Sequence, residues 1–259
     1  MTLVLLPPSE SKLSAESGPR LDPGNLAFPE LTEKRNKVLV ELIKLSSGRQ
    51  AKALSVLDIS KKQEFELVRN QNLLTDPSAP AWRVYSGVLF EALDPHSLTA
   101  AQRTKLCELT FVQSALFGLV SLADQIPAYR LSGETVLPKI GSLAKFWGAS
   151  CSQLLAENSD LIIDLRSGTY CKLGPLPADV AAVVPKILQR MKSGPPKVVS
   201  HHNKATKGRI LRSIVQSKSK IASVDDLANI ISALDADVNL KVSSKNPDHF
   251  TLEVVVDVL

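Results

Sequence analysis

Three short runs of the sequence carry residue types that hold anions or move protons. The first, Pro7-Pro8-Ser9-Glu10-Ser11-Lys12, follows directly on an apolar stretch. Loops at the carboxyl ends of strands are where open α/β sheets bind ligands. Ser9 and Lys12 are therefore candidate phosphate contacts, with a plain polar surface loop as the rival reading. Ser9-Glu10-Ser11-Lys12 also fits the Ser-x-x-Lys pattern of acyl-enzymes, but that chemistry needs Ser-Asp-Asn and Lys-Thr-Gly partners, and neither occurs. The second run, Asp164-Leu165-Arg166-Ser167-Gly168-Thr169-Tyr170, again closes an apolar stretch. Asp164 could orient Arg166, and Arg166 with Ser167 could hold an anion bidentately, or the Asp and Arg could form a structural ion pair. The third is Ser200-His201-His202-Asn203-Lys204-Ala205-Thr206-Lys207-Gly208-Arg209. If a strand hands over to a helix here, Lys204, Lys207 and Arg209 meet free backbone N–H groups that suit a phosphate oxygen. Adjacent histidines on a strand cannot both face one point, which argues against zinc, and the glycine spacing is not that of a Walker A loop.

The rest of the composition narrows the setting. Hydrophobic residues make up 44% of the 259 and charged residues 22%, an ordinary globular balance. The N-terminus lacks a basic leader and its apolar run stops at Pro7-Pro8, and no stretch approaches the ~20 apolar residues that span a bilayer. Cys107, Cys151 and Cys171 are odd in number and far apart, which argues against a disulfide framework and against a CxxC zinc site. Plain thiols in a reducing cytoplasm are expected, with no metal and no cofactor. The net charge is +5, yet residues 181–224 hold ten basic residues and no acid, while the remainder of the chain is net acidic. A single-sign patch draws polyanions; a solvated basic face without a partner is the bland alternative.

Elements that would position these runs can be read from periodicity. Leu3–Leu6 reads as a buried strand, followed by a loop to about Pro29. Helices are expected over 33–46, 49–57, 61–74, 88–118 with a break at Asp94-Pro95, and 142–156. Strands are expected over Ala81–Tyr85 and Leu161–Leu165. Val183–Met191 and Lys197–His201 resemble a hairpin, with Pro185 restricting its first arm to an edge. A helix should start at Gly208 and run to Gln216, placing Arg209 and Arg212 opposite its apolar stripe. Ser223 and Asp226 open another helix as a capping box, and a hairpin of 238–242 with 250–258 ends the chain. Interleaved helices and strands without a break predict one mixed α/β (α+β) domain over 1–259, with a mixed sheet, several helices and a basic cleft.

Together with Val84-Tyr85-Ser86-Gly87, Ser114-Ala115-Leu116-Phe117-Gly118, Asp124-Gln125-Ile126-Pro127-Ala128-Tyr129-Arg130-Leu131 and Phe146-Trp147-Gly148, the three runs resemble the YaaA family of peroxide-stress proteins. The blocks fall in the same order over nearly the whole chain. The resemblance implies a single α/β domain with a basic cleft, binding of duplex or structured DNA, and a role in limiting iron-dependent peroxide damage. It also implies a helix-hairpin-helix element, for which the helices from Gly208 and Ser223 are candidates. The chain departs from the better-known branch, which has Ser-Pro-Ala-Lys near Lys12, Ala-Arg-Gly at 206–208 and Asn-Leu-Ala-Ser at 164–167. Ser9, Lys12, Tyr129, Arg130, Arg166, Ser167, Lys204, Lys207, Arg209 and Arg212 are accordingly expected to form a nucleic-acid or anion site. The competing expectation is an enzyme acting on a phosphate-bearing substrate, with Asp124, Asp164, Tyr129 and Tyr170 in the cleft.

Overall fold

The computed structural model describes residues 1–191, 193–198, 200–234, 236–243 and 246–257, without the side chains of residues 200–202. Lys192 of the acid-free stretch, Val258 of the closing hairpin and the His201 and His202 imidazoles lie outside what is described. The chain forms one α/β domain around a seven-stranded sheet. Strand β1 is Thr2–Leu6, β2 Thr110–Ser114, β3 Gly118–Ser121, β4 Leu161–Asp164, β5 Ala181–Gln189, β6 Asp237–Val242 and β7 His249–Val256. Their spatial order is β6-β7-β5-β4-β1-β2-β3. The five central strands run parallel, and β3 and β6 close the two edges antiparallel.

Position in the sheet explains the strand sequences. A parallel strand with neighbours on both sides is covered on both faces and reads as a continuous apolar run. Leu3, Val4, Leu5 and Leu6 are fully buried, as are Ile162 and Ile163 of β4. The helices are α1 (Thr32–Ser46), α2 (Gln50–Leu57), α3 (Phe65–Gln71), α4 (Ala81–Val84), α5 (Val88–Leu93), α6 (Ala100–Leu109), α7 (Leu143–Asn158), α8 (Ser200–Gln216) and α9 (Val224–Ser232). Helix α1 buries Val38, Leu39, Leu42 and Leu45, the stripe that its spacing predicts. At the start of α9 the Ser223 hydroxyl accepts from the Asp226 N–H at 3.2 Å while Asp226 accepts from the Ser223 N–H at 2.9 Å.

Five expectations are corrected. Ala81–Val84 is a helical turn, not a strand: the Tyr85 N–H closes it on the Ala81 carbonyl at 2.9 Å, and the Ala81 and Trp82 N–H groups at its start find the carbonyls of Asp124 and Leu122 at 2.8 and 3.0 Å. The stretch expected to stay helical to Gly118 ends at Leu109 and becomes β2, every residue of which is buried. Thr110, Gln113 and Ser114 are polar yet buried, so no alternation of apolar residues marks this stretch as a strand. Among the described residues the expected hairpin after Val183 is a single bridge between Gln189 and Lys197. Strand β5 lies inside the sheet, and Pro185 is tolerated because β4 pairs only as far as Val183. Helix α8 starts at Ser200, eight residues before Gly208. Gly208 is there for packing: a Cβ would stand 2.2 Å from the Leu89 carbonyl oxygen of α5.

Candidate functional site

From β1 the chain builds outward to β2 and β3, then crosses back to lay β4 on the other side of β1 and continues to β5. Parallel strands whose continuations leave in opposite directions open a crevice at their carboxyl ends. A cavity of about 520 Å³ lies there. One wall is Pro7–Ser11, the loop leaving β1, and another is Ser167–Tyr170, the loop leaving β4. Ser86–Phe90, Ser132, Glu134 and Lys204 of α8 complete it.

Hydrogen bonds fix these walls to one another. The Ser9 hydroxyl donates to the Ser11 carbonyl at 2.5 Å and accepts from the Ser86 N–H at 3.0 Å. The Ser86 hydroxyl donates to the Ser11 carbonyl at 3.0 Å, so the first loop is tied to the turn before α5. Thr169 donates to Glu134 at 2.6 Å and joins two other walls. Gly87 and Gly168 have φ of +89° and +57° with open space where a Cβ would stand, so left-handed backbone, not crowding, calls for glycine.

Beneath the cavity lie groups taken out of water. The Lys12 ammonium donates to the Ser9 carbonyl at 2.7 Å and sits 4.2 Å from the centre of the Tyr129 ring. Burial, with the nearby Arg130 charge, lowers its pKa to about 7. The Tyr129 hydroxyl meets those of Ser114 at 2.7 Å and Tyr85 at 3.1 Å. Burial pushes both phenols up, so they stay protonated at neutral pH. On the opposite side Lys207 donates to the Arg166 carbonyl at 2.9 Å, and burial lowers its pKa too.

The expected site residues thus divide. Ser9, Ser167 and Lys204 line the cavity, Lys12 and Tyr129 lie beneath its first wall, and Lys207 lies behind its second. Arg130 stands beside it, 3.6 Å from Glu10. Arg166 is buried and fully engaged: it binds Asp164 through Nε at 2.9 Å and Nη2 at 2.8 Å, and Nη1 donates to Gly174 at 2.6 Å and Gln113 at 3.0 Å. Arg209 is exposed, and Arg212 donates to the carbonyls of Leu93 and Asp94 at 2.8 and 3.0 Å. Lys207 and Arg209 sit inside α8, away from its first turn, so free helix-terminal N–H groups do not accompany them. Asp124 accepts from the Ala27 and Ser121 N–H groups and anchors a distant loop, while Tyr170 lines the cavity. Asn70, which nothing in the sequence singled out, is fully buried and clamps the Arg130 backbone in both directions at 2.9 Å. A polar residue on an amphipathic helix carries no mark of such a role. Among the described residues no three His, Cys, Asp or Glu side chains gather as a metal site, and no helix is long and apolar enough to cross a membrane.

Fold and crevice together define a mixed α/β protein with a ligand-sized cleft at the switch point of its sheet. Residues 2–235 match the model of a family described as peroxide stress protein YaaA. The chain is 41% identical to a UPF0246 protein of Corynebacterium glutamicum over 259 residues, covering 98% of this chain and 100% of that one. It is 38% identical to a UPF0246 protein of Streptomyces coelicolor, covering 98% of each, and 40% identical to one of Corynebacterium efficiens, covering 97% and 100%. The chain belongs to the YaaA peroxide-stress family.

Proposed function

We propose that this protein binds nucleic acid in a peroxide-stress role and that its strand-end cleft takes one phosphate-bearing nucleotide of the strand. Family membership supports the stress role. The observation that carries the binding mode is the cleft itself, about 520 Å³ and lined by the hydroxyl-bearing Ser9, Ser11, Ser86, Ser132, Ser167 and Thr169 with Lys204 among them. That volume matches small-ligand pockets, which run about 300–1,000 Å³. A nucleotide at a strand end, gap or flipped position fits this scale, and the body of a duplex does not. Exposed Arg209, on α8, supplies attraction for the backbone outside the cleft.

Polarisation titrations with single-stranded, gapped and intact duplex oligonucleotides over a salt series test this reading. Affinity should fall steeply with salt, and gapped or single-stranded DNA should bind more tightly than intact duplex. Lys204→Ala should remove that preference and lower the salt slope by about 0.7–0.9, whereas Arg209→Ala should weaken all DNAs alike. Equal affinity for every DNA in wild type and in Lys204→Ala would remove the cleft from the binding mode.

A second reading rests on the Lys12–Tyr129–Tyr85–Ser114 cluster under the cleft. An amine poised near neutrality beside a hydroxyl chain suits proton transfer on a phosphate-bearing substrate. Turnover of a free nucleotide that is lost in Lys12→Met would favour it over binding alone.

A further inference from the structure

The loop that leaves β1 places one flexible carboxylate against two cations that have little else to pair with. The Arg130 side chain is mostly buried, 16% exposed, and its Nε is buried without a hydrogen-bond partner among the described residues. The Lys12 ammonium lies close enough for the two charges to repel, and its hydrogen bonds go to the backbone carbonyls of Ser9 and Glu10, at 2.7 and 3.5 Å. Of the nearby carboxylates, Glu66 is engaged by Arg69 of its own helix at 3.3 Å. Glu10 remains. Its side chain is 82% exposed, it belongs to the cavity wall, and it reaches Arg130 only at 3.6 Å. That is a loose ion pair facing solvent, of the sort that contributes little. Arg130 itself is not loose, because Asn70 holds its backbone from both sides.

We propose that Arg130, with Lys12 behind it, is an oxyanion subsite of the cleft, and that the Glu10 carboxylate is its built-in occupant, displaced when a phosphate group enters. The subsite rests on the reading of the cleft as a phosphate site and adds to it where one phosphate sits and what guards it. Arg130 faces Glu10 through Nη1, so an oxyanion that takes the place of the carboxylate meets that N–H group, and a phosphate dianion brings twice the charge of the carboxylate it replaces. Glu10 therefore sets a threshold: the dianion of a terminal phosphate displaces it, and neutral molecules and monoanions, the phosphodiesters inside a strand among them, do not.

Proton uptake accompanies the exchange. Lys12 is faced by Arg130, by Glu10, by Glu66 and Arg69 of α3, and by the Tyr85 and Tyr129 rings. Replacing one negative charge by two in this setting favours the ammonium form. Near neutrality the folded protein is then expected to take up a fraction of a proton for each anion bound.

Titration calorimetry of the full chain tests both parts. Inorganic phosphate reports affinity, and sulfate, which does not titrate near pH 7.5, reports proton uptake through buffers of different ionisation enthalpy. Glu10→Gln, an exposed change that leaves the fold alone, should tighten phosphate about 3- to 10-fold. Wild type should take up protons with sulfate, and Lys12→Met should not. Phosphate binding that Lys204→Ala weakens but Glu10→Gln leaves unchanged, with no proton uptake, would overturn the subsite and keep the cleft. Absence of phosphate and sulfate binding in wild type and in Glu10→Gln would overturn both.

Discussion

Burial rather than pairing sets the chemistry of the titratable residues around the cleft. Lys12 is the sharpest case, lowered from 10.5 to about 7 chiefly by loss of water. Between those two values the unfolded chain holds the proton and the folded chain does not, so stability climbs as pH rises from about 7 toward 10.5. The slope from this one group is at most about 1.4 kcal/mol per pH unit. In denaturant unfolding across that range, stability should rise more steeply with pH in wild type than in Lys12→Met. An identical slope in the variant would mean that Lys12 keeps its proton in the fold. The cysteines tell a parallel story: burial pushes Cys107 and Cys171 up and holds Cys151 at about 11. Few thiolates exist at neutral pH, so the protein should not react with peroxide through sulfur. Mass spectrometry after brief peroxide treatment should find all three thiols intact; rapid oxidation of one of them would contradict this. Their free state was legible from number and spacing, whereas the depressed Lys12 depends on a bridge to Tyr85 that no local pattern shows.

At the scale of elements, the sequence was most legible where one period ruled. Strands β1 and β4 came through as unbroken apolar runs covered on both faces, and the stripe of α1, the Ser223 cap and the final hairpin because each has one face to bury or a side chain with one partner. Helix α8 was misplaced by a glycine. Gly208 looks like a helix start, but its lack of a side chain lets α8 lie against α5, and that contact is long-range. Gly208→Ala should therefore destabilise by about 1–3 kcal/mol, although alanine favours an isolated helix. Arg209→Ala, one residue on and exposed, should stay within about 0.5 kcal/mol. Thermal and denaturant unfolding of the pair checks this, and a stabilised Gly208→Ala would show that the helices do not touch there. Placing Lys207 mid-helix has a functional side as well, because its ammonium reaches back to the Arg166 carbonyl and braces the β4 loop.

Across the whole molecule, the acid-free stretch of residues 181–224 does not become a single-sign surface. Lys186 pairs with Glu253, Arg190 with Asp237 and Asp257, and Arg212 with Asp94, each acid arriving from elsewhere in the chain. Lys207 is buried. A charge run in sequence says nothing of which acids the fold will lay beside it. What does converge is the pair of loops leaving β1 and β4, because adjacent parallel strands must deliver their carboxyl ends to one place. Ser9 and Ser167 could be foreseen on that ground, whereas Lys204 was expected for another reason, beside a helix N-terminus, and reaches the cavity from within α8. The central claim is that this convergence, rather than the outer face of α8, holds phosphate. Amide and side-chain NMR shifts on titration with a 5′-phosphorylated oligonucleotide test it most directly. Perturbations are predicted at Ser9, Glu10, Ser86, Ser167, Thr169 and Lys204, saturating together. Shifts confined to Arg209, Lys218 and Lys220, with the cleft unmoved, would contradict it.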